Sequence, residues 1–428
     1  MTSNGMVRAA TATVVSLALG LGATACSRDY TVAFLYATAS TNGTAGVVNG
    51  YDVDYQSGAL LQLPNSPIPS GGKNPVTLVA APSGKFIYVF NRDDSNVVEF
   101  AVGSDGKLYA ENTYNVIGSF PTSAAIDASG KFLYVTSTYQ PGFTNALPGP
   151  GDVTIFPINS DNTLGTATSV NVGHNPVGVT ASAIFCLADQ SGRTYTTATC
   201  TAAGGAAGHL TSPYVYVVDQ EGGGSTNPFG VLLGFAENAS TGGLTPIATT
   251  GATTPAGGFA AGVQPSAVAE DPTGRFVYVT DFASNQLIGY TVQAGGVPVP
   301  MTNGPFTTGT QPINLTIDPR AKFLYVVNYG SSTVGAYAID QSTGTPANSI
   351  GTSSAVPRTN PRCVTIEPAL GIYMYSANYT DGTVSGFQLD PHTGSLKQIQ
   401  GDPFEANALP TCAVAVANGS HATQVVSP

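Results

Sequence analysis

A five-residue phrase recurs along this chain at a nearly fixed phase, and it restricts the fold more than any other feature. Lys85-Phe86-Ile87-Tyr88-Val89 returns as Lys131-Phe132-Leu133-Tyr134-Val135, Arg275-Phe276-Val277-Tyr278-Val279 and Lys322-Phe323-Leu324-Tyr325-Val326. Looser copies surround Tyr36, Tyr216 and Tyr375. A second marker keeps step with it: Pro75, Pro121, Pro176, Pro265, Pro312, Pro361 and Pro410 each open a short apolar stretch. The Pro-to-Tyr distance is 13 residues in four units (75 to 88, 121 to 134, 265 to 278, 312 to 325) and 14 in a fifth. It is 40 between Pro176 and Tyr216, which places an insertion of about 27 residues there. Two independent markers in constant register define a structural repeat.

Each unit reads as four strands. Pro312 leads into Ile313–Ile317, and a turn at Asp318-Pro319-Arg320-Ala321 precedes Phe323–Asn328. Val334–Ile339 follows, and Ser342-Thr343-Gly344 introduces a variable last strand. Composition agrees. Only 9% of residues are charged, against about 25% in ordinary domains, which leaves little material for exposed helix faces. Gly (51) and Pro (30) supply turns. A hydrophobic share of 42% excludes a disordered chain. Seven four-stranded units of near 50 residues predict an all-β fold, a seven-bladed β-propeller of antiparallel blades. Pro410 opens a strand pattern with no Tyr after it, while Tyr36 has no Pro before it. The C-terminal strand is therefore expected to complete blade 1 and close the ring. One domain over residues 30–420 follows, with residues 421–428 as a tail.

The N-terminus carries Arg8, then an apolar run from Ala9 to Gly22. At 14 residues it suits a signal-peptide core and is too short to span a bilayer. It ends Ala23-Thr24-Ala25-Cys26, which resembles a bacterial lipobox. The expectation is a signal peptide over 1–25 and lipidation at Cys26; the alternative is an ordinary secretory peptide cut after Ala25. Either reading exports the protein, and the first anchors it in the bacterial cell envelope, in the periplasm or at the outer membrane. Lipidation leaves four cysteines, an even number in an oxidising compartment. Cys186 is expected to pair with Cys200 across the insertion. Cys363 and Cys412, both two residues after a marker proline, either pair or remain buried thiols.

Propeller ligands bind at the end where inner strands begin. Three residues past each Tyr stand Ala39, Asn91, Ser137, Asp219, Asp281, Asn328 and Asn378; one further stand Ser40, Arg92, Thr138, Gln220, Phe282, Tyr329 and Tyr379. Lys73, His174 and Arg362 fall at the same end. One reading is a polar, aromatic-trimmed mouth in which Arg92, Arg362 and His174 hold an anionic or hydroxylated ligand. Asn91, Asp219, Asp281, Asn328, Tyr329, Asn378 and Tyr379 would then line it. The other is that the Asn, Asp and Ser residues end strands and brace turns. Asp127, Asp271, Asp318 and Glu367 lie at the opposite end and read as turn carboxylates. No metal, nucleotide or nucleophile-elbow motif is present, so neither a metal nor a cofactor is expected. With a net charge of −11 and no basic cluster, nucleic acid is not a partner, and membrane contact would be through the Cys26 anchor alone. A monomer is expected.

The phrases Asp318-Pro319-Arg320-Ala321-Lys322-Phe323-Leu324-Tyr325-Val326-Val327-Asn328 and Asp271-Pro272-Thr273-Gly274-Arg275-Phe276-Val277-Tyr278-Val279 resemble the lactonase-type seven-bladed propellers. That family includes bacterial 6-phosphogluconolactonases. The Tyr-Val-Thr runs at 134–136 and 278–280 are also similar to YVTN surface-protein propellers. The lactonase resemblance implies hydrolysis of a sugar or related lactone, with His174 as base, Arg92 and Arg362 holding carbonyl or anion, and Glu270 more distant. Asp281-Phe282-Ala283-Ser284 and Asn328-Tyr329-Gly330-Ser331 depart from the Arg-Gly-His-type run of the family's enzymes. The alternative implied is a non-catalytic envelope propeller binding a glycan, peptide or protein.

Overall fold

Each repeat's Tyr-bearing strand is apolar on both faces, as a strand covered by a neighbouring sheet on either side must be. Thr31–Ser40, Phe86–Asn91, Phe132–Tyr139, Tyr214–Asp219, Phe276–Asp281, Phe323–Asn328 and Tyr373–Asn378 are buried almost throughout. In the computed structural model, which describes residues 30–41, 43–181, 214–222, 229–247, 258–347, 350 and 357–419, these strands are the second strands of seven antiparallel sheets. Cys26, Cys186, Cys200, the 1–25 segment and the 421–428 tail lie outside the described residues.

The inner strands are Pro75–Ala80, Ser119–Ile126, Pro176–Ala181, Pro265–Glu270, Pro312–Ile317 and Pro361–Ile366 in blades 2 to 7. Blade 1 takes its inner strand from the other end of the chain. Leu409–Ala417 pairs antiparallel with Thr31–Ser40, setting Tyr36 opposite Val414. Closure by this strand leaves no free end blade.

The Tyr anchors lock the blades to one another. Tyr36, Tyr88, Tyr134, Tyr216, Tyr278, Tyr325 and Tyr375 donate their hydroxyls to the carbonyls of Gly106, Asn162, Gly242, Gly296, Gly344, Gly394 and Gly58, at 2.6 to 3.0 Å. Each acceptor sits in the outer hairpin of the following blade, and blade 7 reaches blade 1. Burial pushes the acidity of all seven phenols far down, so they stay protonated donors. In the six joints with a glycine acceptor the aromatic residue two positions earlier covers the same turn. At Gly106 (φ +75°) a Cβ would stand 2.3 Å from the Phe34 ring, so the turn needs both a left-handed backbone and no side chain. The recurring aromatic-x-Tyr phrase is thus one half of an inter-blade joint, and the Gly hairpin is the other.

The outer strands depart from the expected single fourth strand. In blades 1, 5 and 7 two short segments share the edge of the third strand: Leu60–Gln62 with Ile68–Lys73, Val297–Pro300 with Phe306–Thr307, and Leu396–Gln398 with Phe404–Glu405. Each break carries a proline (Pro67, Pro305, Pro403), which cannot donate to a ladder. Blade 4 is similarly divided, and blade 6 has three strands among the described residues.

At the end away from the inner-strand starts, Asp127, Asp271 and Asp318 are buried and accept backbone N–H groups from their own turns. Glu367 does the same with Ala369, Leu370 and Ile372. Asp318 also receives Arg320 Nε at 2.6 Å in a buried ion pair. These carboxylates are structural.

Candidate functional site

All seven inner strands begin with the same irregularity. The residue after each marker proline is skipped in the pairing with the second strand, so a β-bulge falls at Val76, Thr122, Val177, Ser266, Ile313, Arg362 and Thr411. In a regular strand neighbouring side chains face opposite ways. The bulge breaks that alternation, and two consecutive residues per blade turn toward the axis. Together they line a central channel of about 500 Å³, joined at the mouth by Phe282 and Tyr329.

Small polar groups share this wall with apolar ones, and several are engaged. Thr122, Ser266 and Thr411 donate at 2.7 Å to the carbonyls of Pro176, Pro312 and Pro75, the marker prolines of the next blades. Gln220 Nε2 reaches the Pro265 carbonyl at 2.9 Å. The Asn314 side chain accepts the Val364 N–H at 3.1 Å. Cys363 and Cys412 also belong to the lining, with their sulfurs bonded at 2.02 Å and their Cα atoms 4.9 Å apart. The closing strand is therefore fastened on both sides, by backbone pairing to blade 1 and by the disulfide to blade 7.

Arg362 is the one charged side chain in the channel lining, which among the described residues holds no carboxylate and no imidazole. Its guanidinium lies 3.6 Å from the centre of the Tyr379 ring and 6.0 Å from that of Tyr329. No Asp or Glu of the described residues comes within ion-pair distance of it. Stacking on an aromatic face holds the fork while leaving its N–H groups at the ring's periphery. Arg92 sits elsewhere, paired with Asp93 at 3.4 Å and stacked on Phe120 at 5.2 Å. Phe120 in turn meets Tyr139 edge-on at 6.1 Å. His174 is half-buried, its backbone N–H donating to Asp219 at 3.0 Å. Neither Arg92 nor His174 belongs to the channel lining. The structure thus brings Arg362, Tyr329 and Tyr379 together and places Arg92 and His174 on other blades.

The polar residues three past each Tyr are inside the blades. Asn91, Asp219, Asp281, Asn328 and Asn378 are all buried. Asn91 bonds Ser70 and Asn96. Asn328 donates to Thr333, and Asn378 to Thr383 and Ser385. Asp219 accepts the N–H groups of His174 and Asn175; Asp281 accepts those of Val263 and Gln264 and the side chain of Gln286. Burial raises the pKa of Asp281, but these donations outweigh it and the net shift is downward. The two aspartates brace the loop before the inner strand, and the three asparagines bond side chains of adjoining strands. The ligand-lining expectation for these five gives way to the turn-bracing one, because the bulge directs the residues after proline, and not these, to the axis.

Sequence reasoning therefore overlooked the small polar part of the wall, namely Thr77, Thr122, Ser123, Ser266, Asn314 and Thr411. Their common signal was present: each stands one or two places after a marker proline.

A family model described as "Lactonase, 7-bladed beta-propeller" matches residues 34–183 and 230–365. No curated protein matches the chain. Among solved structures, a Bacteroides uniformis protein provisionally assigned as a 6-phosphogluconolactonase aligns with a TM-score of 0.66 at 17% identity, over 90% of this chain and 100% of its own. The periplasmic gluconolactonase of Pseudomonas aeruginosa aligns with a TM-score of 0.61 at 18% identity, over 91% of this chain and 100% of its own. At such identities the likeness is one of fold.

Proposed function

Because this chain belongs to the seven-bladed β-propeller lactonase family, we propose that its central channel takes a small hydroxylated lactone and that Arg362 serves as the oxygen-binding group. The observation that carries this reading is the isolation of Arg362: a guanidinium in the channel wall, stacked on Tyr379 and without a carboxylate partner among the described residues. A cation so placed suits the carbonyl oxygen of a lactone, on which negative charge grows as water adds. The water oxygen bonds to the carbonyl carbon, the ring C–O bond breaks, and the released alkoxide takes up a proton to give a hydroxy acid. Arg362 would then also hold the product carboxylate. The water's proton passes to solvent in the open channel, since the described lining offers no carboxylate or imidazole to accept it, and His174 stands outside that lining. The names of the structural neighbours support sugar lactones as the substrate class.

The test is turnover of glucono-δ-lactone and of homoserine-type lactones by the purified protein, beside Arg362→Ala and His174→Ala. Turnover lost in Arg362→Ala and kept in His174→Ala supports the assignment. No turnover above the spontaneous rate removes it. A second reading has its own observation, the lack of carboxylate and imidazole in the described lining: a channel that binds a glycan or a hydroxy acid without cleaving it. Saturable, Arg362-dependent binding without turnover would establish that alternative. The proposal also includes export, with residues 1–25 removed and lipid on Cys26. Incorporation of labelled palmitate, abolished by Cys26→Ser, checks it.

A further inference from the structure

Blade 3 departs from a pattern that blades 4 and 5 share. In blades 4 and 5 the carboxylates of Asp219 and Asp281 each accept two N–H groups from the loop that leads into the inner strand. In blade 3 the carboxylate comes from the adjacent strand instead. Ser137 holds the position three past the Tyr, and Asp152 stands directly opposite it in the strand pairing. Asp152 fills the corresponding space: a Cβ on Gly118 would lie 2.1 Å from its Oδ1, much as one on Gly173 or Gly262 would collide with Asp219 or Asp281. The loop's donors have been turned away from it, however. Ile117 N–H donates to Thr154 Oγ1, and Phe120, held at φ +60°, directs its N–H to Ser95. Both carboxyl oxygens of Asp152 and the Ser137 hydroxyl are buried with no hydrogen-bond partner.

An ionised carboxylate in such surroundings is costly, whereas a neutral carboxyl is much less so. Burial accordingly pushes the pKa of Asp152 up to about 7. Among the described residues no cation acts on it. The strand Thr168–Val172 sets Asn171 opposite. The nearest ionisable groups on blade 4 are His174 and Asp219, beside Gly173, whose carbonyl accepts the Gly151 N–H.

The placement of this pair gives it a mechanical role. Ser137 and Asp152 are the last paired residues before the chain leaves blade 3 as the 140–150 loop at the mouth end, whose base is closed by the Gln140 N–H donating to the Pro150 carbonyl. Tyr139, at the same stem, packs on Phe120, over which Arg92 lies. We propose that Asp152 is a proton-operated latch for this mouth loop. The neutral carboxyl keeps the stem paired, and ionisation opens it to let water reach the charge. The inference is independent of whether the channel is catalytic.

Amide hydrogen exchange of peptides spanning 140–150, corrected for intrinsic rate, tests it across pH 6 to 8.5. Protection in the wild-type chain should fall by at least about tenfold, the change that one pKa unit between closed and open states allows. Peptides covering the Asp219-braced loop at 173–175 should not respond. In Asp152→Asn the 140–150 protection should be flat with pH. A flat wild-type profile, or an unchanged pH response in the variant, overturns the proposal. A carboxyl-carbon NMR titration of the wild-type chain stands apart from the variant's folding. An Asp152 midpoint between 6 and 8 supports the latch, and one below 5 refutes it.

Discussion

The hydroxyl of Tyr375 donates to the carbonyl of Gly58 at 2.7 Å, although 317 residues separate the two in sequence. This contact runs from blade 7 to the outer hairpin of blade 1, the blade in which the two ends of the chain are held together by strand pairing and not by continuous chain. Its six counterparts join blades that follow one another in sequence. The prediction is that Tyr375→Phe lowers unfolding free energy by about 1–3 kcal/mol, because a buried carbonyl loses its donor. Equilibrium denaturation in urea measures it. Tyr278→Phe, at a joint between consecutive blades, should cost a similar amount, while retention of full stability in both would contradict the joint.

The closing strand has a second fastening in the Cys363–Cys412 bond, which encloses 49 residues of sequence separation. In the chain-entropy treatment a loop of that size contributes about 4 kcal/mol by restricting the unfolded state. The double variant Cys363→Ser/Cys412→Ser should unfold at lower denaturant than the oxidised wild-type chain. Equal midpoints for oxidised wild type and variant would show that the bond has no stabilising role.

Arg362 and Arg92 form an internal contrast, since both stack on aromatics but only Arg362 lines the channel. Arg362→Ala is expected to weaken binding of a hydroxy-acid ligand by about tenfold or more, corresponding to loss of a charge-assisted hydrogen bond. Arg92→Ala should leave affinity unchanged. Calorimetric titration with gluconate compares them. Arg362→Lys should recover little, because an ammonium cannot reproduce a stacked planar fork.

Glu237 is a carboxyl buried between blades 3 and 4. Burial first, then the nearby Asp127 charge, push its pKa up to about 7, with Tyr134 pulling slightly the other way. Below pH 4.5 the group is protonated in both folded and unfolded chains and contributes no pH dependence. As pH rises from 4.5 to 7 the unfolded chain ionises first, so stability falls; above 7 the loss is complete. Glu237→Gln should therefore match wild type near pH 4 and exceed it at pH 8, by on the order of 2 kcal/mol once solvent screening is allowed for. Thermal melts at the two pH values decide it.

The frame was legible because its joints need particular residues. A phenol must meet a carbonyl in a left-handed turn, so Tyr and Gly recur at fixed phase and can be counted. The mouth was legible only in part. Phe282, Tyr329 and Arg362 were placed there by counting, but Asn91, Asp219, Asp281, Asn328 and Asn378 were assigned to the same surface when they serve the loops and strands behind it. The difference arises from a one-residue bulge after each proline. A bulge shifts register without requiring any residue type: Val, Thr, Ser, Ile and Arg all occupy it. Likewise Asp152 looked like an ordinary strand residue, because its isolation depends on where the backbone of residues 117–120 points.

The seven bulges also separate what this protein must keep from what it is free to vary. The interlocking phenols and turns that fix the wheel lie toward the rim, whereas fourteen residues, two per bulge, present themselves to the hollow. Most of these fourteen could be exchanged one at a time without disturbing a single rim joint. A scaffold so divided can acquire a new guest by rewriting its hub alone, which makes the identity of those fourteen residues, more than overall sequence likeness, the feature by which its relatives should be sorted.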